Sequence, residues 1–119
     1  MWERAAARSP SRVVSDQVGR PTYSLDLARA TWTLSARALT GVMHVANAGV
    51  ATWYDVAKRV YAACGADQLV QPCSAAQFPR PAKRPAQSVL STARSEEALG
   101  GPLPRWEDAL DRFVAEMVA

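Results

Sequence analysis

The stretch Val13–Ala30, VVSDQVGRPTYSLDLARA, decides the fold class. Arg12–Val14 is an apolar run that ends in a polar loop, Ser15 to Tyr23, where Gly19 bends the backbone and Pro21 stiffens it. Ser24 is a candidate N-cap, and the apolar residues after it recur at helical spacing as far as Gly41. A strand, a rigid loop and a capped helix follow one another, which is typical of an α/β protein.

The rest of the chain continues this alternation. Strands are predicted at Val42–Ala46, Leu69–Pro72 and Ser88–Leu90. Helices are predicted at Trp2–Arg8, from the Thr52/Asp55 capping box to Gly65, from Ser91 or Thr92 to Leu99, and from Pro104 onward. Ser74 and Gln77 form a second capping box. We therefore predict an α/β fold of short strands alternating with amphipathic helices.

Between the last two predicted strands lies Pro79–Pro85, a segment with three prolines in seven residues. Such a segment cannot form regular structure, because each proline removes an amide donor and restricts the residue before it. Arg80, Lys83 and Arg84 make it cationic. We expect a stiff, positively charged loop.

Composition excludes several classes of protein. The chain has 119 residues, 49% hydrophobic and 21% charged, which is typical of a globular protein. Its charged N-terminus lacks the apolar core of a signal peptide, so a cytoplasmic location is expected and no membrane partner. The net charge of +3 comes from scattered basic residues, which does not favour nucleic-acid binding.

We predict structural rather than catalytic roles for the cysteines, the histidine and the tryptophans. Cys64 and Cys73 have no partner at metal-ligand spacing, so we predict free thiols, a core position for Cys64 and no metal site. His44, the one histidine, is expected to be a hydrogen-bonded core residue on the Val42–Ala46 strand. Packing is the default explanation for the four tryptophans.

The predicted strands are few and short, whereas the helices carry wide apolar stripes. A parallel sheet is stable only when both faces are covered. The residues therefore indicate a half-structure that needs a larger body to fold completely.

The order of the polar motifs resembles one family. The chain is similar, across nearly its whole length, to the C-terminal part of the dTDP-4-dehydrorhamnose reductases, which are extended short-chain dehydrogenase/reductases with a Rossmann-like fold. The matching motifs are Asp16-Gln17-x-Gly19-x-Pro21-Thr22, Asp26-Leu27-Ala28, Gly41-Val-Met-His44-x-Ala46-Asn47, Trp53-Tyr54-x-x-Ala57, Arg84-Pro85-x-x-Ser88-x-Leu90 and Trp106-x-x-Ala109-Leu110. The resemblance implies reduction of the 4-keto group of a dTDP-linked deoxysugar with NADPH, the last step to dTDP-L-rhamnose.

The resemblance also implies that the residues 1–119 form the substrate-side portion, without the NADPH-binding half. No glycine-rich G-x-x-G-x-x-G turn occurs in the sequence. Tyr54 and Lys58 have the family's Tyr-x-x-x-Lys spacing but lie downstream of the Pro-Thr motif, whereas the family's catalytic pair lies upstream, so we interpret both as structural. We expect no catalytic residue and no cofactor-binding residue here, and an isolated chain that neither binds NADPH tightly nor turns over substrate. A truncated gene, a misplaced start and a split coding sequence all remain open.

Three residues are predicted to bind the dTDP-sugar. Arg84 stands where related reductases and epimerases place an Arg-Pro pair that reaches the diphosphate; the alternative is a solvated surface arginine. Gln17 and Thr22 could shape the sugar pocket, or equally could hold the loop through local hydrogen bonds. Arg80 and Lys83 are expected to be solvated.

Two other functions stay open. The chain could be a non-catalytic interaction module that docks its apolar stripes on a partner, such as an intact or complementary reductase half. It could also derive from another nucleotide-sugar reductase or epimerase.

Overall fold

A computed structural model describes all residues from Met1 to Ala119. The helices are α1 (Trp2–Ala6), α2 (Ser24–Ser35), α3 (Trp53–Ala63), α4 (Ala93–Leu99) and α5 (Trp106–Val118). The strands are β1 (Ser11–Val14), β2 (Val18–Gly19), β3 (Asn47–Ala48), β4 (Ala51–Thr52), β5 (Val70–Cys73) and β6 (Leu103–Arg105). Short 3-10 turns cover Asp67–Leu69 and Ala75–Gln77. The predicted α/β class, with parallel strands and amphipathic helices, is confirmed.

The chain divides into two compact units, each made of two separate segments. The first unit comprises 1–19 and 51–88, and the second comprises 20–50 and 89–119.

In the first unit, helix α3 packs against a parallel pair of strands, β1 and β5. The helix turns Ala57, Val60 and Tyr61 inward, where they are buried. The Tyr61 hydroxyl donates to the Ser9 carbonyl at 2.8 Å and is hydrogen-bonded to Ser11 Oγ at 2.6 Å. A buried phenol needs such partners, because an unsatisfied polar group in the core is destabilising. Strands β2 and β4 form a second, antiparallel pair.

In the second unit, α5 packs on the parallel pair β3 and β6, and α2 packs against α4. Trp106, Ala109 and Val114 of α5 are buried. Gly49 follows β3 with φ +87°, and a Cβ there would come within 2.9 Å of Cδ1 of Trp106. Glycine is therefore required at this position by both the backbone and the close ring.

A buried polar network joins four elements of the second unit, α2, β3, β6 and α5. Asp26 on α2 is 7% exposed and accepts hydrogen bonds from Arg112 Nη1 at 2.8 Å and Nη2 at 2.5 Å. Asn47, fully buried, donates from Nδ2 to Asp26 Oδ2 at 2.8 Å and to the Pro104 carbonyl at 2.9 Å. The hydrogen bonds from Arg112, followed by that from Asn47, hold the pKa of Asp26 below its usual 3.8, although burial opposes them. Asp26 is thus more than the first-turn acid of a helix.

Two predicted strands are wrong. Val42–Ala46 forms no strand, because side chains instead of a neighbouring strand hydrogen-bond to backbone carbonyls in and beside this segment. Arg94 donates to the carbonyls of Thr40 and Val42, and Ser95 Oγ donates to the His44 carbonyl at 2.6 Å. Pairing begins only at β3.

Ser88–Leu90 is not a strand either. A single bridge joins Gln87 to Val18, and the backbone of Ser88 bonds to the Val18 carbonyl at 2.9 Å, after which pairing stops.

Three observed helix boundaries differ from the predicted ones. Ser24 is already helical, because the cap is Tyr23, whose backbone amide is held by Asn47 Oδ1 at 2.8 Å. Helix α2 ends at Ser35 rather than near Gly41. Pro104 lies in β6 because its segment pairs with β3, and α5 begins at Trp106.

Three burial predictions are also wrong. His44 is exposed and Cys64 is only half-buried, since the first lies in an unpaired segment and the second caps the end of α3, whereas Cys73 is buried. Trp32 is 80% exposed on α2, so packing does not account for it. Both predicted capping boxes, Thr52/Asp55 and Ser74/Gln77, are confirmed.

Candidate functional site

A cavity of about 590 Å³ lies within the first unit. A cavity of this size accommodates a small organic ligand. Its lining residues are Met1, Arg12, Val13, Val14, Gln17, Trp53, Ala75, Ala76, Phe78, Pro79, Arg80, Ala82, Lys83 and Arg84. Four of these carry positive charge, two are aromatic and none is a carboxylate.

Strand β1 supplies one wall of the cavity. Pairing with β5 fixes Arg12, Val13 and Val14 in an extended register against Gln71, Pro72 and Cys73. Arg12 Nη2 donates to Gln77 Oε1 at 3.3 Å, which ties its guanidinium to the turn after β5.

Two side chains accept hydrogen bonds from the backbone at the start of the Ala75–Gln77 turn. The backbone N–H of Ser74 donates to Gln77 Oε1 at 3.1 Å. The backbone N–H of Ala75 donates to both carboxylate oxygens of Asp16 at 3.0 Å. The Asp16 carboxylate, next to the cavity, is therefore already hydrogen-bonded to the backbone, and these hydrogen bonds hold the turn in place.

The proline-rich loop closes the cavity on another side, with Arg80, Lys83 and Arg84 on it. The Arg80 guanidinium lies over the Phe78 ring, 5.5 Å from its centroid, in a cation–π contact. Prolines at 79, 81 and 85 restrict the backbone, so fewer conformations are lost when a ligand orders the loop.

The electrostatic character of the cavity follows from this lining. Four cations without a lining carboxylate create a positive potential in a concave, partly apolar space, where charge attraction is less screened than on an open surface. Guanidinium groups match phosphate oxygens with two parallel hydrogen bonds. The cavity can therefore hold an anion with phosphate groups beside an aromatic or apolar moiety.

The structure brings together two of the three predicted substrate-binding residues. Gln17 and Arg84, 67 positions apart in sequence, both line the cavity. Thr22 is not among its lining residues. Its hydroxyl donates to the Arg20 carbonyl at 3.2 Å and accepts from the Asn47 amide at 3.4 Å, the local hydrogen bonding that was the alternative explanation. A role for Thr22 in binding stays a prediction.

Sequence reasoning missed Arg12, Trp53 and Phe78. Arg12 was assigned only to a strand, and packing was the predicted role of Trp53 as of the other tryptophans, yet Trp53 is 51% exposed. The position of Trp53 could have indicated its exposure, because it is the first residue of α3 and lies one turn before the first buried residue, Ala57. Arg80 and Lys83 are exposed, as expected, and line the cavity as well.

Comparison with known proteins places the chain in a family. A family model described as "RmlD substrate binding domain" matches residues 1–119. The chain belongs to the RmlD substrate binding domain family.

Relatives and solved structures extend this result. A dTDP-4-dehydrorhamnose reductase of Mycolicibacterium smegmatis is 44% identical over 120 residues, covering 99% of this chain and 37% of the relative. A probable dTDP-4,6-dihydroxy-2-methyloxan-3-one 4-ketoreductase of Streptomyces antibioticus is 40% identical over 121 residues, covering 100% of this chain and 41% of the relative. A crystal structure of dTDP-4-dehydrorhamnose reductase from Bacillus anthracis in complex with NADP superposes with a TM-score of 0.86 at 32% identity, covering 97% of this chain and 41% of that chain. The chain thus spans about two fifths of the length of these proteins.

Within this RmlD substrate binding domain, Tyr54 and Lys58 both lie on α3, and neither lines the cavity. The Lys58 ammonium lies over the Tyr54 ring, 5.9 Å from its centroid. This geometry stabilises a helix surface. A structural role for both stays a prediction.

The start of α3 does not fit the phosphates of a dinucleotide. Dinucleotide phosphates bind where backbone amides at a helix N-terminus are free, behind a glycine-rich turn. At the start of α3 two amides are already paired: Asp55 N–H donates to Thr52 Oγ1 at 3.1 Å, and Asp55 Oδ2 accepts from the Thr52 amide at 2.8 Å. The Asp55 carboxylate would also repel a phosphate there.

No group of three or more His, Cys, Asp and Glu side chains is close enough together to hold a metal ion. No helix is long and apolar enough to cross a membrane.

Proposed function

We propose that this chain supplies the substrate-binding part of a dTDP-4-dehydrorhamnose reductase, with the dTDP-sugar in the cavity of the first unit. The observation that carries the proposal is the cavity lining: Gln17 and Arg84, from two separate motifs of the resemblance, meet there among four cations with no carboxylate. The family match over the whole chain supports it.

The chemistry of the ligand fits the lining. A nucleotide-sugar diphosphate carries two negative charges on oxygens that guanidinium groups can contact in pairs. Arg84 follows Lys83 on the proline-restricted loop, so it needs little ordering to reach the diphosphate. The Gln17 amide, which both donates and accepts, suits the hydroxyl and carbonyl groups of a keto-sugar.

The proposal assigns this chain binding and orientation of the substrate, not the chemical step. We expect no cofactor-binding residue and no catalytic residue among its 119 residues. The whole reductases of the family use NADPH for the reduction, and we expect the 119 residues alone neither to bind NADPH tightly nor to reduce the sugar.

Isothermal titration with dTDP and with a dTDP-4-keto-6-deoxysugar tests the proposal. The wild-type chain should bind both, and binding should weaken with added salt because the contacts are charge-assisted. Arg84→Ala should weaken both ligands about 10- to 100-fold, as expected for one lost hydrogen bond to a charged group, and should leave the circular dichroism spectrum unchanged.

Arg37→Ala is the matched control, because Arg37 is an exposed arginine outside the cavity. Its affinity should equal the wild-type affinity. Equal affinities of Arg84→Ala and Arg37→Ala would contradict the assignment of Arg84, and no binding of either ligand by the wild-type chain would contradict the proposed function.

The identity of the sugar is a separate proposal. The Streptomyces relative is named for a different dTDP-linked keto-sugar, and it is 40% identical to this chain. We therefore propose a dTDP-4-keto-sugar as the substrate class, with the 4-keto precursor of dTDP-L-rhamnose as its first member to test.

A second candidate function, docking on a complementary reductase half, is favoured by the outer face of α2. Leu25 and Trp32, two helical turns apart, are exposed on it, and Trp32 is 80% exposed. Exposed apolar side chains that share one face are typical of a protein interaction site. Light scattering of the wild-type chain mixed with the N-terminal half of a family reductase should show a complex that Trp32→Ser weakens, and no complex with the wild-type chain would remove this candidate.

A further inference from the structure

Trp53 is placed to contact a ligand rather than to build the core. It is the first residue of α3 and lines the cavity with half of its surface exposed. The core side of the helix is completed without it by Ala57, Val60 and Tyr61. An indole left half in water keeps a large apolar face available for burial by a bound molecule.

The backbone that carries Trp53 is fixed by the capping box directly beside it. The carboxylate of Asp55 accepts from the amide and the hydroxyl of Thr52 at 2.8 and 2.7 Å. The Asp55 amide in turn donates to Thr52 Oγ1 at 3.1 Å. The indole therefore projects from a rigid helix start, so stacking on it requires little additional ordering.

The other aromatic residue of the cavity is in a different situation. The Phe78 ring already carries the guanidinium of Arg80 at 5.5 Å, and Phe78 precedes the proline-rich loop. The cavity thus combines one aromatic face occupied by a cation with a larger, half-exposed indole.

We propose that Trp53 is the nucleobase platform of this cavity, on which the pyrimidine ring stacks while the diphosphate reaches Arg84. The inference rests on the proposed function, since it requires a nucleoside diphosphate in the cavity. A planar pyrimidine can stack on the indole face, whereas the hydroxyl-bearing deoxysugar suits the polar side chain of Gln17. Stacking of one base on an aromatic side chain changes affinity by about 5- to 150-fold.

The experiment compares ligands with and without the base. The dissociation constants of dTDP, of the dTDP-sugar and of inorganic pyrophosphate are measured by isothermal titration for the wild-type chain, Trp53→Leu and Trp53→Phe. Trp53→Leu should weaken dTDP by at least about fivefold and leave pyrophosphate unchanged. Trp53→Phe should recover part of the affinity for dTDP, because a phenyl ring still stacks.

Trp32→Leu is the matched control, because it removes an exposed tryptophan from the second unit. It should bind all three ligands like the wild-type chain. Tryptophan fluorescence adds a second measurement: dTDP should quench the wild-type chain and Trp32→Leu, and quench Trp53→Phe much less.

Each of the remaining possible results contradicts one specific statement. If Trp53→Leu binds dTDP like the wild-type chain while Arg84→Ala does not, Trp53 is not the nucleobase platform and the proposed function stands. If only the dTDP-sugar is weakened, the sugar rather than the base contacts Trp53. If pyrophosphate weakens as much as dTDP, Trp53 only shapes the cavity. If the wild-type chain binds none of the ligands, the proposed function fails first.

Discussion

Asp26→Asn tests the buried network of the second unit. The substitution keeps the shape of the side chain but removes its charge and replaces one acceptor oxygen with an NH₂ group. In the wild-type chain both oxygens accept from Arg112, and one also accepts from Asn47 Nδ2 at 2.8 Å. The new NH₂ group would face at least one of these donors, so a hydrogen bond becomes a donor–donor contact.

The expected loss of folding stability follows from the burial of Asp26 and of Arg112. Removing one partner of a fully buried ion pair costs about 3–5 kcal/mol. Asp26 is nearly fully buried, but the Arg112 side chain is 35% exposed and also contacts Asp108, so water and that second carboxylate offset part of the loss. We expect Asp26→Asn to lower the free energy of unfolding by about 2 kcal/mol.

Urea denaturation followed by tryptophan fluorescence measures this loss, with Asp108→Asn as the control. Asp108 pairs with the same arginine at 3.0 Å but is 59% exposed, so its removal should cost about 0.5 kcal/mol or less. A loss for Asp26→Asn no greater than that for Asp108→Asn would refute the reasoning.

The pH dependence gives an independent check. Because Arg112 and Asn47 lower the pKa of Asp26 in the folded chain, its carboxylate stabilises the fold above the usual pKa of 3.8. This stabilisation is lost as the pH falls from about 3.8 through the lower pKa of the folded state. The wild-type chain should therefore lose more stability than Asp26→Asn over that acid range, and parallel curves would argue against the network.

Three further predictions concern single sites. Thr52→Ala should lower the free energy of unfolding by about 1 kcal/mol in urea denaturation, because the amide of Asp55 loses its cap; no change would rule out a stabilising box. Gly49→Ala should lower the melting temperature more than Gly65→Ala: both glycines have positive φ, but only at Gly49 would the new Cβ meet the Trp106 ring, at 2.9 Å, and equal shifts would contradict the clash. NADPH titrated into the chain should give no saturable fluorescence change at micromolar concentration, and tight binding would contradict the absence of a dinucleotide cradle.

Features that depend on neighbouring residues were predictable from the sequence. Both capping boxes lie within four consecutive residues, so the residue types alone determine them. Gln17 and Arg84 are different, because they are 67 positions apart and only the resemblance predicted that they bind one ligand. Both line the cavity, and their role in binding stays a prediction.

Features that depend on distant residues were not predictable. The segment before Asn47 reads as a strand by its apolar pattern, but Arg94 and Ser95, about fifty positions away, take its carbonyls. Arg112 reaches Asp26 across 86 positions, and no local pattern reveals that pairing. Trp53 has the period of a core residue, and only the packed structure shows that the core is complete without it.

The interleaving of the two units along the chain has a consequence for synthesis. Residues 1–19 must wait for β5 and the loop up to Ser88 before their unit closes, and residues 20–50 must wait for β6 and α5. The second unit gains its last partners only when Trp106 and Val114 of α5 have been synthesised. The carboxylate of Asp26 waits for Arg112, 86 positions further along the chain, and the amide of Asn47 waits for the Pro104 carbonyl, 57 positions further along, so both polar groups remain hydrated during most of synthesis.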